Sequence, residues 1–157
     1  MVGGGMGRLA VTGRARRGLW VTGDELIPPG ERRPPGAIWE SNGTLLESLL
    51  IRLGYPVAQR RVVADDPAAL RLALQELAAG SDVVVSTGGV SAGDSDWIRP
   101  LLAELGEVAF WKLFLKPGRP FAFGSLQGPS GQAIPFFGLP GNPVAAAITA
   151  LQLLWPA

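Results

Sequence analysis

The sequence contains no cysteine and no histidine among its 157 residues. The lack of cysteine excludes disulfides and thiolate metal sites. The lack of histidine removes the most common general base and every imidazole metal ligand. Any catalysis must therefore use carboxylates, lysine, arginine, hydroxyl groups or the backbone. Any bound metal must take mainly oxygen ligands, which favours Mg²⁺ over zinc.

The sequence also lacks a large net charge and a long apolar run. Its formal net charge is +1, so we expect neither a nucleic-acid partner nor a membrane partner. No apolar run is long enough to span a bilayer, and a cytoplasmic location is the default expectation. The hydrophobic fraction of 47% and the charged fraction of 17% are typical of a folded globular domain with a substantial core.

The chain is predicted to contain one domain, over residues 19–155. Residues 1–18 are rich in glycine and arginine, and we expect a tail or the remnant of a preceding domain there. The sequence stops directly after a helical pattern, so we expect it to be part of a longer protein.

Strand-like and helix-like patterns alternate along the predicted domain. Strands are predicted at residues 19–22, 57–63, 82–86, 108–115, 121–126 and 134–139. Helices are predicted after Ser41 or Asn42, after Asp66 and after Asn142, and a further helix is predicted to carry Ile98, Leu101, Leu102 and Leu105. This order predicts an α/β three-layer sandwich, in which a mostly parallel sheet has helices on both faces. Ligands of such folds bind beyond the carboxyl ends of the strands.

The segment Gly-Leu-Pro-Gly-Asn-Pro-Val at 138–144 joins an apolar strand to a helix. Asn142 suits the N-cap and Pro143 the first helical position. Apolar residues follow at helical spacing, at Val144, Ala147, Ile148 and Leu151. The backbone N–H groups at such a start suit a phosphate, although a tight connection without a ligand has the same pattern. The candidate ligand-binding residues here are Pro140, Gly141, Asn142 and Pro143.

A second glycine-rich loop, residues 86–96, follows the valine-rich strand. Its glycines let the backbone approach a ligand closely, and its hydroxyls can donate to a phosphate. Alternatively, Asp94 or Asp96 only caps the following helix. The candidate ligand-binding residues of this loop are Ser86, Gly88, Gly89, Val90, Ser91 and Gly93.

A third candidate loop, residues 116–120, is basic and contains two prolines. A stiff turn loses little entropy when its cations bind an oxyanion. The alternative is a basic turn that faces solvent. The candidate residues are Lys116, Pro117, Gly118 and Arg119.

Acidic residues follow two of the predicted strands. Thr22, Gly23, Asp24 and Glu25 form one group, for which a solvated acidic turn is the alternative. Asp66 is predicted to cap a helix, so its neighbour Asp65 is a candidate for function or simply an exposed acid. Carboxylates repel a nearby anion unless a cation bridges them or they bind a neutral part of the ligand. The three candidate acids are Glu25, Asp65 and Asp96. Their presence near an anion site suggests bound Mg²⁺ or recognition of a heterocycle.

The order of these motifs resembles one family, the molybdopterin molybdenumtransferases, which are known as MoeA and include the gephyrin E domain. The resemblance covers residues 19–154 and rests on the acidic turn, Ser41-Asn42, Asp65-Asp66 and the three loops described above. It implies a MoaB/Mog-like molybdopterin-binding fold. It also implies that molybdate is inserted into adenylated molybdopterin with release of AMP and molybdenum cofactor, in a step that depends on a divalent cation.

The resemblance assigns roles to individual residues. Glu25, Asp65 and Asp96 match the family's functional acids, and Lys116 and Arg119 match its basic loop. The turns at 88–91 and 140–143 match those that cradle the ligand. Two residues depart from the pattern: Ala145 replaces a common serine, and Arg119 stands where lysine is more common.

Two other functions are compatible with the sequence. The first is a stand-alone molybdopterin adenylyltransferase of the Mog type, although the loop after Gly88-Gly89 fits that enzyme less well. The second is a non-catalytic binding or scaffold domain. We expect a homo-oligomer, a dimer as in the multidomain relatives or a trimer as in the stand-alone ones.

Overall fold

A computed structural model describes residues 15–23, 25–90 and 98–155, with the backbone alone for residues 110 and 111. In chain order, its elements are β1 (Arg17–Thr22), β2 (Leu26–Ile27), β3 (Ile38–Trp39), α1 (Asn42–Arg52), β4 (Val57–Val63), α2 (Pro67–Gly80), β5 (Val83–Thr87), α3 (Ile98–Leu105), β6 (Gly106–Lys112), β7 (Pro120–Gln127), β8 (Ala133–Leu139), α4 (Pro143–Thr149) and a short π-helix (Ala150–Leu154).

The main sheet has the strand order β4-β1-β5-β8-β7-β6. The first four of these strands run parallel. β7 runs antiparallel to both of its neighbours, so β6 points the same way as β8. The prediction of a mostly parallel α/β sheet is therefore confirmed, and the carboxyl ends of β1, β4, β5 and β8 lie along one edge. We call this edge the carboxyl rim.

Side chains that alternate along the strands divide the core into two layers. On β1, Trp20 packs on one face, whereas Leu19 and Val21 pack on the other. The first face is covered by α2 and α3 through Leu70, Leu74, Leu77, Leu101 and Leu102. The second is covered by α1 and α4 through Leu46, Leu50, Ala146 and Ala150. Helices on both faces complete the three predicted layers.

Two helix starts behave as predicted. The Asp66 carboxylate accepts a hydrogen bond from the Ala69 N–H at 2.8 Å, and α2 begins at Pro67. The Asn142 side chain accepts one from the Ala145 N–H at 3.0 Å, and α4 begins at Pro143. In both cases the side-chain oxygen satisfies a backbone donor that the first helical turn leaves unpaired.

The buried face of α4 differs from the apolar run that predicted the helix. Val144 is 60% exposed and Leu151 is 38% exposed. The buried face consists instead of Ala145, Ala146, Thr149 and Ala150. Alanines occupy both sides of this helix, so the spacing of its apolar residues does not show which side is buried. The smaller side chains face the sheet and α1, where they allow close packing.

The connection between β1 and α1 contains two short strands that were not among the predicted elements. β2 and β3 form a small parallel ladder that pairs Leu26 with Ile38 and Ile27 with Trp39. The strand predicted at 108–115 instead covers Gly106–Lys112. No helix in the described part of the chain is both long and apolar enough to cross a membrane.

Candidate functional site

A cleft of about 210 Å³ lies on the carboxyl rim. Residues that follow β1, β4, β5 and β8 reach it, as expected for the carboxyl ends of parallel strands. The predicted site residues that line it are Thr22, Gly23, Glu25, Asp65, Gly88, Gly89, Gly141 and Pro143. Leu26, Ile38, Trp39, Ser41, Asn42, Thr87 and Ile98 complete its wall.

Asn42 joins three parts of the cleft. Its side-chain amide donates to Thr87 Oγ1 at 3.0 Å and to the Gly141 carbonyl at 2.6 Å. The Thr87 hydroxyl in turn donates to the Pro140 carbonyl at 3.0 Å. The first residue of α1 is thereby tied to the ends of β5 and β8, and we call this network the Asn42 clamp. It fixes the two glycine turns relative to each other.

The prediction that α1 begins after Ser41 is confirmed, but the Ser41 side chain does not supply the cap. Ser41 occupies the N-cap position but makes no side-chain cap hydrogen bond. The Glu40 carboxylate instead accepts from the Gly43 N–H at 2.5 Å. Glu40 is 2% exposed and forms an ion pair with Arg60 of β4. A buried carboxylate needs such a partner, and the pair holds the start of α1 against the sheet.

The two adjacent acids have different surroundings. Asp66 caps α2, as described above. Asp65 lines the cleft, and its carboxylate accepts a hydrogen bond from the Thr22 hydroxyl. This contact connects the end of β1 to the residues that follow β4. The interpretation that the cap role belongs to Asp66 is confirmed.

The glycines at the end of β5 are required by geometry. Gly88 has a φ of +88°, and a Cβ there would lie 2.7 Å from the Thr22 carbonyl oxygen. Gly89 has a φ of +70°, and its Cβ would lie 2.5 Å from Ile98 Cδ1. Gly88 also approaches Gly141 closely, since a Cβ on Gly141 would lie 3.7 Å from Gly88 Cα. Both glycine turns thus present bare backbone to the cleft.

The basic loop does not line this cleft. It joins β6 to β7, and the register of β7 against β8 places it at the carboxyl rim. Lys116, Pro117 and Arg119 are exposed, whereas Gly118 is buried and a Cβ on it would lie 2.8 Å from Thr149 Oγ1. The loop therefore packs on α4 and exposes its two cations to solvent at the carboxyl rim.

Three other candidates are buried. Val90 belongs to the core layer under α3. Its side chain packs so closely on Gly138 that a Cβ on this glycine would lie 2.5 Å from Val90 Cγ1. Ser86 is fully buried, and its hydroxyl has no hydrogen-bond partner among the described residues. Pro140 is buried and contributes its carbonyl to the Asn42 clamp. The side chains of Val90 and Pro140 therefore support the turns rather than line the cleft.

Four predicted site residues lie outside the described residues, namely Asp24, Ser91, Gly93 and Asp96. Of the proposed metal-binding acids, Glu25 and Asp65 both line the cleft. Among the described residues, no cluster of three or more acids could hold a metal ion. The two carboxylates present fit a hard cation such as Mg²⁺ in the chemistry of their donors.

Clear pKa shifts occur away from the cleft. The Arg16 guanidinium bonds to Asp82 and lowers the pKa of that carboxyl, and Arg71 does the same to the pKa of Glu104. Asp82 precedes β5 and therefore lies at the opposite edge of the sheet. These shifts indicate exposed ion pairs and do not mark the candidate site.

Comparison with known proteins identifies the family. Residues 18–157 match the family described as "Probable molybdopterin binding domain". The chain belongs to this molybdopterin-binding domain family. The sequence-based identification is confirmed.

Named members of the family are longer than this chain. The molybdopterin molybdenumtransferase of Haemophilus influenzae is 38% identical over 139 residues, which are 88% of this chain and 33% of the relative. The Drosophila melanogaster molybdenum cofactor synthesis protein cinnamon is 34% identical over 92% of this chain and 23% of its own length. The chain thus spans about a third or less of these relatives.

Solved structures agree with the molybdopterin-binding domain assignment. A molybdopterin biosynthesis MoeA protein from Pyrococcus horikoshii has a TM-score of 0.77 and 31% identity, over 91% of this chain and 34% of its own. The tungsten cofactor synthesizing protein MoaB from Pyrococcus furiosus has a TM-score of 0.65 over 92% of both chains. At 20% sequence identity, this likeness shows a shared fold and nothing about a shared function.

Sequence reasoning missed three contributors to the site of this molybdopterin-binding domain. Asn42 was considered as a cap and as part of the Ser41-Asn42 motif but not as a cleft residue, and Glu40 and Trp39 were not considered. With Ser41 they form a run that leads into the first residue of α1, and all four line the cleft or the groove next to it. The signal available in the sequence was the polar run Glu40-Ser41-Asn42, which follows the apolar pair Ile38-Trp39 and leads into a predicted helix.

Proposed function

We propose that the cleft binds adenylated molybdopterin and takes part in the insertion of molybdate, with release of AMP and molybdenum cofactor. The carrying observation is the convergence of the predicted motifs from β1, β4, β5 and β8 on one cleft, held by the Asn42 clamp. The names of the longer relatives support the same activity.

In this proposal, the glycine turns receive the phosphates. Gly88 and Gly141 bring bare backbone to the cleft wall, so an oxyanion can approach their N–H groups without meeting a side chain. Lys116 and Arg119 lie on an exposed loop of the same carboxyl rim and would attract molybdate, a doubly charged oxyanion.

The acids have a separate role in the proposal. Glu25 and Asp65 would hold Mg²⁺ together with Asp96, and the cation would offset the negative charge of the phosphates. The Thr22 hydroxyl orients the Asp65 carboxylate by donating to it. Release of AMP requires hydrolysis of the adenylyl bond, and these acids are our candidates for that step. The homo-oligomer expected from the sequence belongs to the same proposal.

Calorimetry with adenylated molybdopterin tests the proposal, with and without Mg²⁺. We expect Mg²⁺ to strengthen binding to the unaltered chain, and Asp65→Asn to weaken binding and remove the dependence on Mg²⁺. Asp66→Asn is a matched control, because asparagine also caps a helix and Asp66 does not line the cleft. Adding molybdate should then release AMP.

Other outcomes would contradict the proposal. Formation of adenylated molybdopterin from ATP, without molybdate-dependent AMP release, would identify an adenylyltransferase. If neither Asp65→Asn nor Asp66→Asn changes the affinity for the ligand, the ligand binds outside the cleft. The absence of AMP release when the relatives' further domains are supplied would favour a binding or scaffold role.

A further inference from the structure

A shallow apolar groove lies directly beside the cleft. Trp39 and Ser41 line both the cleft and the groove, so the two spaces adjoin each other. Pro29, Thr44 and Leu45 form other parts of the groove wall. Trp39 is 56% exposed, although it is a large aromatic side chain that is ordinarily mostly buried.

The backbone around Trp39 is fixed by residues of the cleft. The Ile38 N–H donates to the Glu25 carbonyl at 2.7 Å, and the Glu40 N–H donates to the Ile27 carbonyl at 2.8 Å. The Arg33 guanidinium lies 5.7 Å from the Trp39 ring centroid. The indole therefore projects from a paired strand that begins and ends at site residues, which limits the entropy that it loses on contact with a ligand.

The size of the cleft indicates where a long ligand must extend. Its volume of about 210 Å³ lies below the range of about 300–1,000 Å³ that is usual for ligand pockets. A molecule with phosphates and flat rings cannot fit entirely within it. The groove shares Trp39 with the cleft, and it is mainly apolar, as a heteroaromatic ring prefers.

We propose that Trp39 is a stacking platform for a planar heteroaromatic ring of the ligand whose phosphates occupy the cleft. This inference rests on the proposed function, since adenylated molybdopterin has two such rings, the adenine and the pterin. The indole face supplies stacking, and the neighbouring guanidinium adds a cation–π contribution.

Titration with three probes tests the platform. AMP contains adenine and phosphate, molybdopterin contains pterin and phosphate, and ribose 5-phosphate contains phosphate without a heteroaromatic ring. We expect Trp39→Ala to raise the Kd for AMP, for molybdopterin or for both by roughly tenfold, the usual scale of one stacked base. The Kd for ribose 5-phosphate should change by less than about twofold, because stacking contributes nothing to it.

Two variants serve as controls. Trp39→Phe keeps an aromatic face and should recover most of the lost affinity. Trp155→Ala removes an indole that is 52% exposed, follows the π-helix and lines neither the cleft nor the groove. It should leave every Kd unchanged. Urea unfolding of each variant shows whether the fold is retained.

The outcomes separate this inference from the proposed function. A loss for AMP alone identifies adenine as the stacked ring, and a loss for molybdopterin alone identifies pterin; either supports the platform. Unchanged affinities in Trp39→Ala would overturn the platform, while Mg²⁺-dependent binding and AMP release would still support the proposed function. An equal loss for ribose 5-phosphate would also overturn it. If the unaltered chain binds none of the probes, both proposals fail.

Discussion

Removal of the Asn42 amide is the sharpest test of the clamp. Asn42→Ala deletes two donated hydrogen bonds, to Thr87 Oγ1 at 3.0 Å and to the Gly141 carbonyl at 2.6 Å. Each is worth about 0.5–1.5 kcal/mol net. Thr87 keeps its bond to Pro140, so the loss does not spread further. We expect the free energy of unfolding to fall by about 2 kcal/mol, a Tm change of about 4–8 °C for a domain of this size.

Asn42→Asp makes the same test more severe. The carboxylate has nearly the same shape but donates no hydrogen bond, and it places negative charge beside the carbonyl of Gly141. We expect a loss of about 3 kcal/mol, as well as weaker binding of any phosphate in the cleft. Both losses are smaller than the total stability of an ordinary domain, so both variants should fold.

The control for these variants is Ser41→Ala. A serine at an N-cap usually contributes about 1 kcal/mol, but Ser41 makes no side-chain cap hydrogen bond. Its replacement should therefore cost less than about 0.5 kcal/mol. Urea unfolding followed by tryptophan fluorescence measures all three variants. The clamp would be refuted if Asn42→Ala lay within 0.5 kcal/mol of the unaltered protein, or if Ser41→Ala cost as much.

Two further predictions concern backbone space and pH. Gly88→Ala should cost at least about 1 kcal/mol more than Gly131→Ala in urea unfolding; both glycines have positive φ, but only the Cβ at Gly88 would meet a backbone oxygen. Equal losses would contradict this. Arg16 lowers the pKa of Asp82 in the folded protein, so its stabilisation is present above the unfolded pKa of about 3.9 and lost as pH falls through the lower folded value. The stability difference between the unaltered protein and Asp82→Asn should therefore shrink from pH 7 to pH 3; a constant difference would count against the pair.

The fold could be predicted because its signals are local. Apolar periods, helix caps such as Asp66 and Asn142, and glycines at element ends identify the elements in order, and alternation implies a parallel sheet. The same topology brings the ends of β1, β5 and β8 to one rim. The meeting of Thr22, Gly88 and Gly141 was therefore also predictable.

The missed features depend on contacts between distant parts of the chain. The Asn42 amide bonds to residues 45 and 99 positions away, which no local pattern indicates. Glu40 looks like an exposed acid until the fold brings Arg60 to it. The buried face of α4 could not be predicted from the apolar spacing, because alanine is equally compatible with both sides.

Because β7 runs opposite to β6 and β8, the rim contains a hairpin turn whose sequence can be changed without changing the strands. A parallel crossover would need a helix between β6 and β7, whereas the antiparallel pair needs only the turn at 113–119. An insertion or a new charge pattern in this turn would lengthen a hairpin tip and displace neither the sheet nor the clamp. With Gly118 kept, because it packs on α4, the hairpin tip is therefore the place where sequence variants can be compared on one unaltered scaffold.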